Sequence, residues 1–378
     1  MGPSNGTLLA NARAEAQPSP PTATGGDSAT EPMGDDASNG EGGDSAPDPR
    51  LLSTKNPHDH DGRVVFFDEG HWYKHVATGR RVPKSQTAAT GPFFDTFDPD
   101  AVVTKYFRGW RNNPDSKYWA LIHYLELVEN RDEDAVKAAI QKLWRANGDR
   151  AASEGTKMHA QIEDYLNGLM PPPSKALPPP MGVAMLIGML EWFYPEQQLE
   201  PWRVEFSVCV ETPVGTTVKN ELVTVQMPAI CGNIDAIFRS KRDGRYWILD
   251  WKRVDPKKKG LLGKQPVQLG GGGKRQRAPE MATGPFERWE ASSYNKYSAQ
   301  LHGYRWQLIE GGYMKPEEIA GCFLVQMHED MQKAHVIEAA DVQDEVDGVM
   351  RAEVEAAQAA YHKEIQDEAA RNTHPLSI

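Results

Sequence analysis

The sequence predicts a mixed α/β (α+β) chain in which a helical first half gives way to a sheet-forming second half. Two observations carry this. From Asp98 to about Tyr194 the apolar residues recur at helical spacing, and from Pro201 they change to short runs rich in Val, Ile, Phe and Trp. A third, a helical stretch over Tyr294–Glu310 followed by two more strand-like runs, interleaves the two kinds of element. At 378 residues the chain has room for one large domain or two smaller ones.

Residues 1–62 are rich in Gly, Ala, Ser, Pro and Asp and lack the aromatic and β-branched clusters that nucleate a core, so an acidic disordered tail is expected there. Order is expected to begin at Val64–Phe67 and His71–Val76, two short runs that read as a strand pair. Asp98 before Pro99 reads as an N-cap and a first-turn proline. Helical segments are expected near 99–109, 117–129, 133–147, 150–168 and 182–194, the last two separated by the proline-rich stretch 171–180. Strands are expected over Arg203–Glu211, Ala229–Arg239 and Tyr246–Trp251, and after the Tyr294–Glu310 helix over Cys322–Met327 and Ala334–Glu338. From Ala339 to Asn372, Val342, Val346, Met350 and Val354 recur at i+4, one face of a C-terminal amphipathic helix that packs on the domain or on a partner. The expected division is thus a tail over 1–62, a domain over 63–338 with its helical part up to 200, and the C-terminal helix over 339–378. No internal repeat is present.

The net charge of −11 argues against a nucleic-acid partner only until it is located along the chain. Residues 1–62 carry ten acids against three bases and residues 339–378 nine against three, which leaves 63–338 with a net +2. The segment 252–277 holds nine Lys or Arg against one acid, with four consecutive glycines at 270–273. It reads either as a solvated linker or as a phosphate-contacting flap in which Lys257, Lys258, Lys259, Lys274, Arg275 and Arg277 meet DNA. The apolar stretch Met181–Leu190 is about half the ~20 residues of a membrane span. With no secretory or transit pattern at the N-terminus, an intracellular location, nuclear or cytoplasmic, is expected, with a virus-encoded protein as a secondary option. Cys209, Cys231 and Cys322 lie in apolar strand contexts and read as buried small hydrophobes. Three cysteines cannot supply the four thiolates of an iron–sulfur cluster within one chain, so none is expected.

Chemistry concentrates in Cys231–Arg253, CGNIDAIFRSKRDGRYWILDWKR. Asp243-Gly244 between two apolar runs signals a hairpin, and a two-residue loop would set Asp235 opposite Lys252 and Ile237 opposite Asp250. Strand alternation would then project Asp235, Asp250 and Lys252 from one face, with Trp251 on the other. Two acids and a lysine on a half-buried face are costly unless paired, and a divalent cation is such a partner. In a phosphodiester hydrolase it polarises the phosphoryl oxygen and acidifies water, while the lysine orients or deprotonates the nucleophile. A structural Asp–Lys pair is the competing reading. In Ser153–Gly168, His159 and Glu163 share a helical face, where an imidazole can ligate a metal and a carboxylate support it. In Tyr294–Glu310, Gln300 and Tyr304 share a face and offer phosphate or base contacts, although Tyr297, Leu301, Tyr304 and Leu308 also make an ordinary core stripe.

Taken in order, Gly155 with His159 and Glu163, Gly232 with Asp235, Asp250-Trp251-Lys252, and Gln300 with Tyr304 resemble the RecB-like branch of the PD-(D/E)XK nuclease superfamily. The segment FFDTFDPDAV and the strand WRVEFSV with Glu205 are similar to the viral and mitochondrial-genome-maintenance exonucleases of that branch. The resemblance implies a restriction-endonuclease-like core, a mixed sheet flanked by helices. It implies Mg²⁺ or Mn²⁺ held by His159, Asp235, Asp250 and the Trp251 carbonyl, with Glu163 and Glu205 supporting these ligands. Lys252 would act on the attacking water, and Gln300 and Tyr304 would contact DNA. The implied activity is a DNA exonuclease or end-processing enzyme of repair, recombination or replication; a structure-specific endonuclease and a non-catalytic DNA-binding module are the alternatives. No Walker-type GxxxxGK[ST] motif is present, so unwinding would fall to a partner helicase or other replication or repair protein, or the DNA would be single-stranded or free-ended.

Overall fold

Asp98 caps the first long helix as its sequence implies: its carboxylate accepts from the backbone N–H groups of Asp100 and Ala101, ahead of Pro99 in the first turn. The computed structural model describes residues 48–67, 69–94, 97–218, 221–256 and 280–373. These form two compact units, one spanning Phe97–Glu154 and the other built from the chain on either side of it.

The first unit is helical. Helix α3 (Pro99–Asn112), helix α4 (Trp119–Leu127) and the start of α5 (Glu133–Leu166) enclose Val103, Phe107, Trp110, Ile122, Leu125, Val136, Ile140 and Trp144. The Trp144 indole N–H donates to the Tyr118 hydroxyl at 2.7 Å, whereas the buried Trp110 Nε1 has no partner. The expected break between 147 and 150 is absent, and α5 runs unbroken through Gly148. One helical glycine costs only about 1 kcal/mol, and apolar positions continue on both sides of it.

The second unit is a mixed sheet with helices on both faces. Its elements are helix α1 (Leu52–Lys55), the hairpin β1 (Val64–Phe67) and β2 (Trp72–His75), the short strand β3 (Lys84–Ser85), α2 (Gln86–Thr90), the end of α5, α6 (Met181–Gly188), β4 (Leu199–Val218), β5 (Glu221–Ser240), β6 (Tyr246–Arg253), α7 (Ser293–Glu310), β7 (Ile319–Met327), β8 (His335–Glu338) and α8 (Gln343–Thr373). The sheet runs β3-β5-β6-β7-β8, with β4 also on β5; β3–β5 and β6–β7 are parallel and the other pairs antiparallel. One face packs Ile237, Ile248, Cys322 and Leu324 on Tyr297, Leu301, Tyr304 and Leu308 of α7. The other packs Phe238, Leu249, Trp251 and Val325 on Met158, Ile162 and Leu166 of α5 and on α6. All three cysteines are buried and free.

β4 and β5 extend well past their expected limits, through three prolines. Pro201 and Pro213 lie on the edge strand, Pro201 beside a register shift at Pro201/Arg203, and Pro228 lies beside a second shift at Val210/Glu211, places where a missing N–H is tolerated. The expected disorder up to residue 62 is also corrected: the polar stretch 48–62 hides two anchors. Leu52 is buried with its N–H donated to Asn167 Oδ1, and the buried Arg203 guanidinium donates to the Asn56 carbonyl and to both oxygens of Asp61. The C-terminal helix packs on this unit, burying Val342, Val346, Val349 and Met350 against Ala89, Phe286 and Trp306. Among the described residues no helix is long and apolar enough to cross a membrane.

Candidate metal centre

The β5–β6 hairpin forms, but with a longer turn than its sequence suggests. Arg245 O accepts from Ser240 N at 2.9 Å and Ser240 O accepts from Gly244 N at 2.8 Å, which makes Lys241–Gly244 the loop. The register is therefore Ile237↔Ile248 and Ala236↔Leu249, shifted by two from the expected pairing. A shift of two preserves parity, so Asp250 and Lys252 keep the face of Ile248, towards α7. Asp235 now falls level with Asp250 rather than opposite Lys252.

Asp235 sits where the sheet opens. On one edge β5 pairs with β3 up to Cys231 and with β6 from Ala236, and the residues between have no strand neighbour on that edge. Alternation also breaks here. Ala236 and Phe238 belong to one core, while Ile234 and Ile237 share the other. On β4 the same change of face separates Val204 from Phe206, across Glu205, whose φ of 43° is in the left-handed region that non-glycine residues rarely occupy. The twist aims the two carboxylates at the gap. Asp235 Oδ2 accepts from Trp251 N at 2.8 Å in place of a strand partner, and Glu205 Oε2 accepts from Asn233 Nδ2.

His159 reaches this gap from α5. Its Nε2–H donates to the Trp251 carbonyl at 2.9 Å and its Nδ1 lies 3.5 Å from Asp235 Oδ2. One ligating atom each from His159, Glu205 and Asp235 lie within 4.8 Å of one another. Adjacent ligands of an octahedral cation with ~2.1 Å bonds are about 3 Å apart, and the 3.5 Å between His159 Nδ1 and Asp235 Oδ2 is near that spacing. Asp250 supports the same reading from behind. It is 1% exposed, and its Oδ1 has no hydrogen-bond partner, which for a buried carboxylate is costly unless a cation supplies one. Burial pushes its carboxyl up to about 6, against the lowering pull of Lys252.

Lys252 Nζ lies 2.7 Å from Asp250 Oδ2 and 4.4 Å from the centre of the Tyr297 ring. Burial alone would lower its pKa, but the Asp250 and Asp235 carboxylates outweigh that and hold it above the ordinary lysine range. It donates to Gln300 Oε1 at 3.4 Å, and Gln300 Nε2 donates to the Tyr304 hydroxyl at 2.9 Å.

His159, Asp235, Glu205 and the Trp251 carbonyl are thus brought together, and Asp250, Lys252 and Gln300 form a contact chain beside them, with Asp250 in electrostatic reach of Asp235 and His159. Tyr304 is corrected: expected on a DNA-facing surface, it is 4% exposed and reaches the site only through Gln300, because α7 turns that position into the sheet. Glu163 lines a cavity of about 610 Å³ together with Glu205, while the His159 ring is bracketed by Trp251 and Asp235. Lys257, Lys258, Lys259, Lys274, Arg275 and Arg277 lie outside the described residues. Sequence reasoning missed Asn233, which holds Glu205, and the reason for Gly232. A Cβ there would come within 2.6 Å of Tyr304 Cε1 and 2.8 Å of Gln307 Oε1, so the glycine lets α7 lie against β5 beside Asp235. A second group, Asp255, His328 and Asp330, also gathers three ligating atoms within 4.8 Å, at the ends of β6 and β7.

No protein-family model matches the sequence, and no functionally curated protein shows significant similarity to it. Among solved structures, the crystal structure of SSO0001 is similar at 15% identity, over 46% of this chain and 59% of that one, with a TM-score of 0.19. At that score it carries no argument about fold or function.

Proposed function

We propose that the chain is a metal-dependent DNA nuclease of the RecB-like PD-(D/E)XK kind, with a restriction-endonuclease-like core, that hydrolyses phosphodiester bonds as an exonuclease or end-processing enzyme. The observation that carries this reading is the convergence of His159, Asp235 and the Trp251 carbonyl beside a buried Asp250 with an orphaned oxygen. A structural Asp–Lys pair accounts for Asp250 and Lys252, but not for an imidazole and two further carboxylates aimed into a gap in the sheet.

His159, Asp235, Asp250 and the Trp251 carbonyl would hold Mg²⁺ or Mn²⁺, with Glu205 at the edge of the set. Bound there, the cation would polarise a phosphoryl oxygen and lower the pKa of a water molecule. The protein's own contribution is positional and electrostatic. Lys252, kept as an ammonium by its carboxylates, donates hydrogen bonds to the attacking water and to charge developing on the phosphoryl group. Gln300 and the ring of Tyr297 fix where that ammonium points, and the buried Tyr304 fixes Gln300.

The test is incubation of linear DNA with Mg²⁺ or Mn²⁺, comparing wild type with Asp250→Ala and Lys252→Ala. Wild type should degrade it and both variants should not; equal degradation by all three sinks the reading. Cutting of a covalently closed circle would move the assignment to an endonuclease.

A further inference from the structure

The β1–β2 hairpin turns one face to the sheet and the other to solvent, and the outer face has an unusual composition. Strand pairing puts Val65 beside Lys74 and Phe67 beside Trp72, and Arg81 bridges to Lys74 from the following segment. Inward, Val64, Tyr73 and Val82 pack on Cys209 and Cys231 of the sheet, and the His75 ring lies 2.9 Å from Glu211. Outward, Val65, Phe67 and Val76 are 47%, 37% and 53% exposed. The Phe67 and Trp72 rings stack at 4.2 Å, 4° from parallel, and the Arg81 guanidinium lies 5.6 Å from the Trp72 ring centre.

Such a face is costly to leave bare. Its charge says what would cover it. Arg63 and Arg80, which border the hairpin, are neutralised by Glu211 and Glu364. Lys74 and Arg81, on the outer face itself, have no anionic partner among the described residues. Two uncompensated cations beside an exposed aromatic stack match a ligand that offers flat π-faces and a regular line of negative charge. Single-stranded nucleic acid offers both at once, whereas duplex DNA keeps its bases stacked inside. At its start Gly62 and the inward-facing Val64 line the same cavity of about 610 Å³ as Glu163 and Glu205, so the hairpin borders the candidate site.

We propose that Phe67, Trp72, Lys74 and Arg81 form a stacking platform for single-stranded DNA, leading the strand towards the metal centre. The proposal deepens the nuclease reading and rests on it for the choice of DNA, but its test does not depend on cutting. The measurement is fluorescence anisotropy of a fluorescein-labelled oligothymidine with the full chain in EDTA. Phe67→Ala and Trp72→Ala should each weaken binding by roughly tenfold, the scale of one lost base–aromatic stack. Trp72→Phe should restore most of it, which a general loss of folding would not allow. Lys74→Ala with Arg81→Ala should make the salt dependence shallower.

Unchanged affinity in all these variants overturns the platform. So does a preference for duplex over oligothymidine, or a concentration-dependent self-association that Phe67→Ala abolishes, since either gives the face to another occupant. If oligothymidine binding depends on Phe67 and Trp72 but wild type cuts nothing with Mn²⁺, the platform stands and the nuclease reading falls. If cutting requires Asp250 and binding ignores the aromatics, the reverse holds.

Discussion

Two groups in the sheet unit gather three ligating atoms within 4.8 Å: His159, Glu205 and Asp235 at the β5–β6 opening, and Asp255, His328 and Asp330 at the ends of β6 and β7. By residue type they are nearly equivalent. They differ in what surrounds them. At the second, Asp330 N donates to His328 Nδ1 at 3.1 Å and Glu329 lies 3.7 Å from Nε2, so local backbone and a neighbouring side chain already occupy the imidazole, and Asp330 is exposed to water. At the first, a backbone carbonyl joins the set, Asp250 adds a buried oxygen without a partner, and Glu205 is held in a rare left-handed backbone conformation. Carboxylates near a histidine are common; what distinguishes a metal centre is unmet electrostatic demand that the fold maintains at a cost.

The sharpest way to break this contrast is cleavage. Asp235→Ala or Asp250→Ala should lower the rate about a thousandfold or more, the several kcal/mol expected of a lost metal-assisted step. His328→Ala should leave it within about twofold. Equal losses at both clusters in a single-turnover assay would erase the distinction. Next in size is metal affinity: His159→Ala should weaken Mn²⁺ binding by about 10- to 100-fold in calorimetric titration, and His328→Ala should not change it.

Smaller effects sharpen the role of Lys252. Gln300→Ala removes a hydrogen bond to a charged group and should lower kcat about tenfold with little change in KM. Tyr304→Phe, which only unties Gln300, should cost less; a larger KM effect from Tyr304→Phe would mean direct contact with DNA. The smallest effect is on stability. In metal-free protein the Asp250 carboxyl sits at about 6, above its ordinary 3.8, so the folded state binds that proton more tightly than the unfolded chain. The resulting stability is fully present below pH 4 and is lost as pH rises through 6. The thermal midpoint in EDTA should therefore fall over that window in wild type, and Asp250→Asn should flatten the fall.

The contrast between the clusters also marks how far the sequence could be read. Asp250 and Lys252 were legible as neighbours on one face because an even register shift cannot change parity. His159 was legible from its spacing on a helix. Asp235 was only half legible: its membership of the site was readable, but its direction depends on the broken alternation around Glu205, and a left-handed Glu has no sequence signature. The hairpin register was misread because Lys241–Gly244 closes as a longer turn than Asp243-Gly244 suggests. The stretch 48–62 was misread because its two anchors, the buried Leu52 and the Asp61 carboxylate that holds the buried Arg203, are single residues in an otherwise polar stretch. Tyr304 carried both a core and a surface pattern, and only the close approach of α7 at Gly232 decides between them. The helical first half, the strand order of residues and the C-terminal helix needed only apolar periodicity, which is why they were recovered with little error beyond their ends.

The central claim, that the β5–β6 opening is the metal centre, is tested most directly by anomalous scattering from crystals soaked in Mn²⁺. The expected result is an anomalous peak among His159, Asp235, Asp250 and the Trp251 carbonyl, absent in Asp250→Ala. A peak at Asp255, His328 and Asp330 instead, or none at the opening at Mn²⁺ concentrations that support cleavage, would contradict it.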